Sequence, residues 1–242
     1  MSDEKKKKDE KEENIHKGHR RRLKARFLEY GLENFNEINA LELLLFYAIP
    51  QQDVNPLAHK LLERFGSLNG VFEASLQELL EMGVTENQAG LLCLVPQIMK
   101  HSMVLKAEEI GRRKGIHNVE DAGAFLLPKF DREQDEVVYL ICLDSKRKVI
   151  RCDEMGRGVV NSVQVSVRRM VETALRYKAS SVILAHNHPD GYAIPSREDD
   201  AVTQQVAQAF DLVGIPLADH IIIAGDDFVS YCDSGLLWSH AY

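Results

Sequence analysis

The run Val182-Ile183-Leu184-Ala185 constrains this chain more than any other stretch, because it reads as a short strand buried on both sides. Such a strand needs helices over both faces of its sheet. The flanking text supplies them: Val167, Met170, Val171, Ala174 and Leu175 fall on one helical face before it, and Arg197 to Val213 reads as an amphipathic helix after it. Val137 to Leu143, turned by Asp144-Ser145-Lys146 into Val149 to Glu154, predicts a hairpin. Ile221 to Ala224, the turn Gly225-Asp226-Asp227 and Phe228 to Cys232 add two further strands. The expected fold class is therefore α/β, a mixed β-sheet with flanking helices.

Upstream the periodicity is helical. Leu23, Phe27 and Leu28 recur at helix spacing, Ala40 to Ala48 is a dense apolar block halted at Ile49-Pro50, and Asn55-Pro56 starts a helix that Gly66 ends after Phe65. Ser75 and Glu78 have capping-box spacing for Leu76 to Met82, and Ala89 to Met99 is a further apolar run. A small all-α domain over residues 15–105 is expected, followed by a charged, glycine-punctuated linker at 106–117 and the sheet domain at 118–242. Residues 1–14, nearly all Lys, Glu and Asp, read as a disordered tail.

Charge narrows the function. Residues 1–115 carry 18 basic and 18 acidic side chains, whereas residues 116–242 carry 12 and 19. An acidic domain is poorly suited to replace the counterions of a phosphate backbone, so nucleic acid is not expected as the main substrate of the C-terminal half. No apolar run approaches the roughly 20 residues of a membrane span, and Cys93, Cys142, Cys152 and Cys232 are scattered, without a C-x-x-C pair. The expectation is a cytoplasmic protein without membrane contact, its cysteines acting as small buried hydrophobes.

The segment carrying chemistry is His186-Asn187-His188-Pro189, attached to the buried strand. Residues i and i+2 of a strand project from one face, so the two imidazoles converge, and two convergent nitrogens are half of a zinc site. The loop from Pro189 to Pro195 then returns the chain to Ser196-Arg197-Glu198-Asp199, where Asp199 can supply an oxygen ligand. Ser196 and Asp199 also suit the cap and first turn of a helix. Asp200 adjoins Asp199 but points about 100° away. His220 could complete an all-histidine triad or, with Asp219, support the site from behind.

His186-Asn187-His188, Pro189, Gly191, Ser196 and Asp199 resemble the JAMM motif of the JAB/MPN metalloprotease-like fold, whose sheet is deaminase-like. Val182 to Pro189, Ala218-Asp219-His220-Ile221 and Leu61 to Leu68 are similar to the RadC family specifically. The resemblance implies zinc on His186, His188 and Asp199 with water in the fourth position. It also implies a glutamate from an earlier strand, four residues before a glycine, for which Glu154 fits as general base; Asp153 and Glu172 are competitors. Ser196 would donate to the oxyanion. The implied activity is that of a zinc-dependent hydrolase of amide or isopeptide bonds in a peptide or protein substrate. Asp190 stands where the family usually has Ser, and Tyr192 and Ile194 make the loop apolar, either as a lip over a substrate channel or through ordinary packing.

The family's N-terminal module resembles a helix-hairpin-helix, which implies nucleic-acid contact and an alternative role as a DNA-repair or recombination accessory protein. Gly83 is present, but Thr85 and Glu86 occupy the turn where a second glycine would let a phosphate approach. The basic run His16 to Arg26, with six Lys or Arg residues, offers a second route to phosphates. A nuclease based on the letters H-N-H is poorly matched to an acidic domain, and a deaminase lacks H-x-E and P-C-x-x-C.

Overall fold

The computed structural model describes residues 18–158, 166–189 and 191–237. The tail expected over 1–14 and the substitution at Asp190 lie outside the described residues. The chain divides into two compact units, Met1–Met99 and Lys100–Tyr242. No described helix is long and apolar enough to cross a membrane.

The first unit is helical: α1 over 18–30, α2 (Glu37–Ala48), α3 (Asn55–Phe65), α4 (Leu68–Glu73), α5 (Leu76–Glu81) and the start of α6 (Glu86–Lys114). Leu41, Leu45, Ala58, Leu61, Val71, Leu79 and Leu92 are fully buried in its core. The expected boundaries of α3 hold because Pro56 sits in its first turn and Gly66, at φ 81°, ends it. The capping box of Ser75 and Glu78 forms as expected.

Two features bear on phosphate binding. Arg20 donates to the carbonyl oxygens of Phe46, Ile49, Pro50 and Gln52, closing the C-terminal end of α2, and Arg26 donates to Asn39 Oδ1 while lying over the Phe35 ring. These two cations of the basic run are committed to the unit's own structure, while Arg21 and Arg22 are exposed. Thr85 exchanges hydrogen bonds with Gln88 at the entry to α6, so the residue in the second glycine position works as a helix cap.

The second unit holds the end of α6, α7 (Val119–Phe130), β1 (Glu136–Leu143), β2 (Val149–Gly158), α8 (Val167–Arg176), β3 (Ser181–Asn187), α9 (Arg197–Asp211), β4 (Leu217–Ala224) and β5 (Asp227–Ser230). The strand order is β2-β1-β3-β4-β5. β3 and β4 are parallel and joined through α9, and the other pairs are antiparallel. Phe125, Leu126 and Phe130 of α7 pack on Val137, Ile141, Ile183 and Ile221. On the opposite face Met170, Ala174, Val206 and Phe210 of α8 and α9 pack on Val138, Leu140, Val182 and Leu184. β3 is thus covered from both sides, as its apolar run requires.

The linker expected at 106–117 is corrected. α6 continues through Lys114, and the division between the units falls after Met99, inside it. The charges there are used within the unit, since Glu108 pairs with the buried Lys129 at 2.7 Å and with Arg112 at 2.6 Å. Gly111 is a contact glycine: a Cβ would come within 2.8 Å of the Phe125 ring and 2.9 Å of Val149. Gly115, at φ 91°, is where the helix stops. The cysteines are all free, but the expectation that they are buried holds fully only for Cys142, and Cys232 is exposed.

Candidate metal centre

β1 runs antiparallel to β3, so its first residues lie beside the last residues of β3, where the two histidines are. Val138 is the cross-strand neighbour of His186. The Asn187 side chain fixes this edge: its Oδ1 accepts from the Val137 N–H at 2.7 Å, and its Nδ2 donates to the Asp135 carbonyl at 3.0 Å. Asn187 is 4% exposed, so leaving either bond unmade would cost about 1–3 kcal/mol. β3 therefore positions His186 and His188 and clamps the backbone on both sides of Glu136.

The third group comes from the start of α9. Ser196 caps the helix, accepting from the Asp199 N–H at 3.1 Å. Asp199 Oδ2 accepts in return from the Ser196 N–H at 2.8 Å and the Ser196 hydroxyl at 2.6 Å. This turns Oδ1 toward His186 Nε2, 2.9 Å away. His186 Nε2 and His188 Nε2 are 3.0 Å apart, and His188 Nε2 lies 3.4 Å from Asp199 Oδ2. Among the described residues these three are the group able to offer one ligand atom each, all within 4.8 Å of one another. Burial pushes the Asp199 carboxyl up, but the hydrogen bond and charge of His186 and the two bonds from Ser196 outweigh it and hold Asp199 well below the usual carboxylate range.

The ring of His188 has a defined orientation. Its Nδ1 is 3.0 Å from the Tyr192 carbonyl oxygen, which can only accept, so Nδ1 carries the proton and the Nε2 lone pair faces the group. Tyr192 and Ile194 of the same loop are 82% and 65% exposed. Ordinary packing does not explain these side chains.

Several expectations about supporting residues change. Register pairs Glu154 with Tyr139 and Ala185, the sheet face opposite His186, and its carboxylate binds Arg157 at 3.0 Å. Glu154 is therefore not brought to the His186, His188 and Asp199 group. Glu136, which sequence reasoning missed, shares the face of Val138 and His186. Burial raises its pKa above the usual value, with the nearby charges of His186, Asp199 and His188 acting on it in opposing directions. The available signal was phase: Glu136 falls in step with Val138, Leu140 and Cys142, though phase alone does not say which face holds the histidines.

The Ser196 hydroxyl, expected to serve an oxyanion, donates to Asp199. Asp153 is held by Arg151 at 2.6 Å, Glu172 by Arg168 at 2.7 Å, and Asp200 accepts from the Tyr231 hydroxyl at 2.9 Å. His220 stands behind the group, with its Nε2 2.9 Å from His186 Nδ1. Burial and the neighbouring His186 push its pKa well below the ordinary imidazole value. Asp219 serves a separate purpose, accepting from the Ser230 hydroxyl and the Cys232 N–H where the chain leaves β5, at the end of the β4–β5 hairpin away from its turn.

Comparison with known proteins places this arrangement. Residues 116–236 match the RadC-like JAB domain. A UPF0758 protein of Fusobacterium nucleatum is 32% identical over 233 residues, covering 93% of this chain and 99% of its own length. UPF0758 proteins of Bordetella avium and Rhodobacter capsulatus are 35% and 36% identical, each over 89% of this chain and over 95% and 100% of their own lengths. The nearly end-to-end matches and the His-His-Asp group on a five-stranded mixed sheet agree: this chain belongs to the RadC-like JAB family.

Proposed function

We propose that this protein is a metal-dependent hydrolase of amide or isopeptide bonds, with zinc held by His186, His188 and Asp199 and with Glu136 as general base. The observation that carries the reading is the convergence of two imidazole nitrogens and a carboxylate oxygen, with a second carboxylate facing them from the first residue of β1. Two nitrogens and one oxygen are a usual donor set for catalytic zinc, which keeps a coordination position open. Bound there, the ion supplies a Lewis acid that polarises a carbonyl and acidifies water.

The chain's own residues do the rest. Ser196 orients Asp199, and the Tyr192 carbonyl orients His188. Glu136 takes a proton from the attacking water and returns it to the leaving amine, and the Asn187 clamp limits its drift. Partial burial favours the neutral form of Glu136, moving a carboxyl toward the pKa range in which both transfers run efficiently. Tyr192 and Ile194 offer an exposed apolar lip for the residues flanking the scissile bond of a peptide or protein.

Metal analysis of the purified protein tests the first premise: about one zinc per chain is expected, lost in His188→Ala. Capture of substrates on Glu136→Gln, which should retain zinc, then identifies the bond cleaved. A protein that binds no divalent metal would overturn the reading.

A further inference from the structure

His186 differs from His188 in how its ring is held. The outer nitrogen of His188 rests on a backbone carbonyl, which imposes a tautomer by itself. The outer nitrogen of His186 meets another imidazole, His220, and an imidazole nitrogen can donate or accept. Whether the outer nitrogen of His186 donates or accepts is therefore decided one group further back.

That group is Thr203. It lies one helical turn after Asp199 on α9, and its hydroxyl donates to the Asp199 backbone carbonyl at 2.6 Å, the back-bond a helical threonine commonly makes. With its only proton given to an atom that cannot donate, Thr203 Oγ1 must accept from His220 Nδ1, 2.5 Å away. His220 is 1% exposed, stacked on Tyr231 at 4.9 Å, and neither ring nitrogen has a carboxylate partner, so the ring is neutral and has one proton to place. Placing it on Nδ1 leaves a lone pair on Nε2. That lone pair accepts from His186 Nδ1–H, which leaves Nε2, the nitrogen on the side of Asp199 and His188, as the one His186 can offer to a metal.

We infer that Thr203 and His220 form a proton-ordering relay that locks His186 in its metal-binding tautomer, making Thr203 a positioning residue for the metal although it touches none of its ligand atoms. The relay rests on the metal reading above. It also joins two ligands physically, because the threonine bonded to the Asp199 backbone is the one that orients the ring behind His186. Removing the hydroxyl frees His220 to carry its proton on Nε2. His186 would then be driven to the opposite tautomer, with a proton where the metal should be.

Zinc affinity, read by competition with a chromophoric chelator, should fall about 10–100-fold in Thr203→Val, the usual effect of losing a group behind a ligand. Thr203→Ser, which keeps the hydroxyl, should restore it. If the unaltered protein binds zinc and Thr203→Val binds it equally well, the relay is wrong and the metal reading stands. If the unaltered protein binds no metal, both fail.

A measurement on the unaltered metal-free chain covers the case in which Thr203→Val does not fold. Nitrogen-15 imidazole NMR should show His186 and His220 both protonated at Nδ1. Protonation of His220 at Nε2 would overturn the relay whatever the variants do.

Discussion

The helical unit and the sheet unit each bury a group of polar side chains, and the two groups are built in opposite ways. In the helical unit Glu42 is fully buried, and what surrounds it donates: the side-chain amides of Asn55 and Asn39 at 3.0 and 3.2 Å, and the His19 ring at 3.3 Å from both oxygens. In the sheet unit His186, His188 and Asp199 turn ring nitrogens and carboxylate oxygens toward one another at 2.9 to 3.4 Å. A carboxylate among donors is satisfied and serves stability. A cluster with more lone pairs than protons to share favours a cation among its atoms, so such an arrangement suits binding and needs groups behind it to hold it.

The sharpest way to break this comparison is at Glu136. Glu136→Gln should lower turnover by about 10²- to 10⁴-fold, the usual contribution of a positioned acid–base group, while leaving zinc affinity in place. Glu154→Gln should leave turnover unchanged, because its carboxylate faces Arg157 on the other side of the sheet; a large loss there would return the base to β2. Steady-state kinetics on a captured substrate decides between them.

Metal should separate the two groups in stability next. Zinc at 100 times its dissociation constant should stabilise the protein by about 2.7 kcal/mol against unfolding. Thermal melts with and without zinc should show this gain in Glu42→Gln and lose it in His188→Ala. The converse effect is of similar or smaller size: Glu42→Gln, which sets an amide against other amides, should cost about 1–3 kcal/mol in denaturant unfolding with zinc affinity unchanged.

The smallest effect is in pH. The Glu136 carboxyl is raised in the folded state, so its ionisation opposes folding as pH rises from below the unfolded carboxylate pKa through the folded one. Metal-free Glu136→Gln should therefore melt higher than the parent near neutral pH, and the advantage should vanish where both carboxyls are protonated. A gain that persists at low pH would mean that the substitution acts through packing instead.

The elements legible in the sequence were those whose cause is local. Pro56 and Gly66 bounded α3, and the apolar run marked β3. The two histidines and Asp199 were visible because strand alternation and a helix's first turn each place side chains within a few residues. Elements that depend on distant partners were not. α7 contains Gly123 and Pro128, which argue against a helix, yet a Cβ on Gly123 would strike the Phe228 ring at 2.5 Å, so close packing demands glycine there. Gly111 concealed the continuation of α6 for the same reason.

The sequence by itself determined the two histidines and the aspartate, their spacing and the buried strand that carries the histidines, since each follows from backbone geometry over a few residues. Tertiary structure alone decided which glutamate faces them. The pairing of β1 with β2 shifts register between Val138 and Tyr139, leaving Met155 unpaired, and a one-residue shift exchanges the two faces of a strand. The relay through His220 and Thr203 is likewise nonlocal, joining β3, β4 and α9 through hydrogen bonds that no spacing along the chain announces.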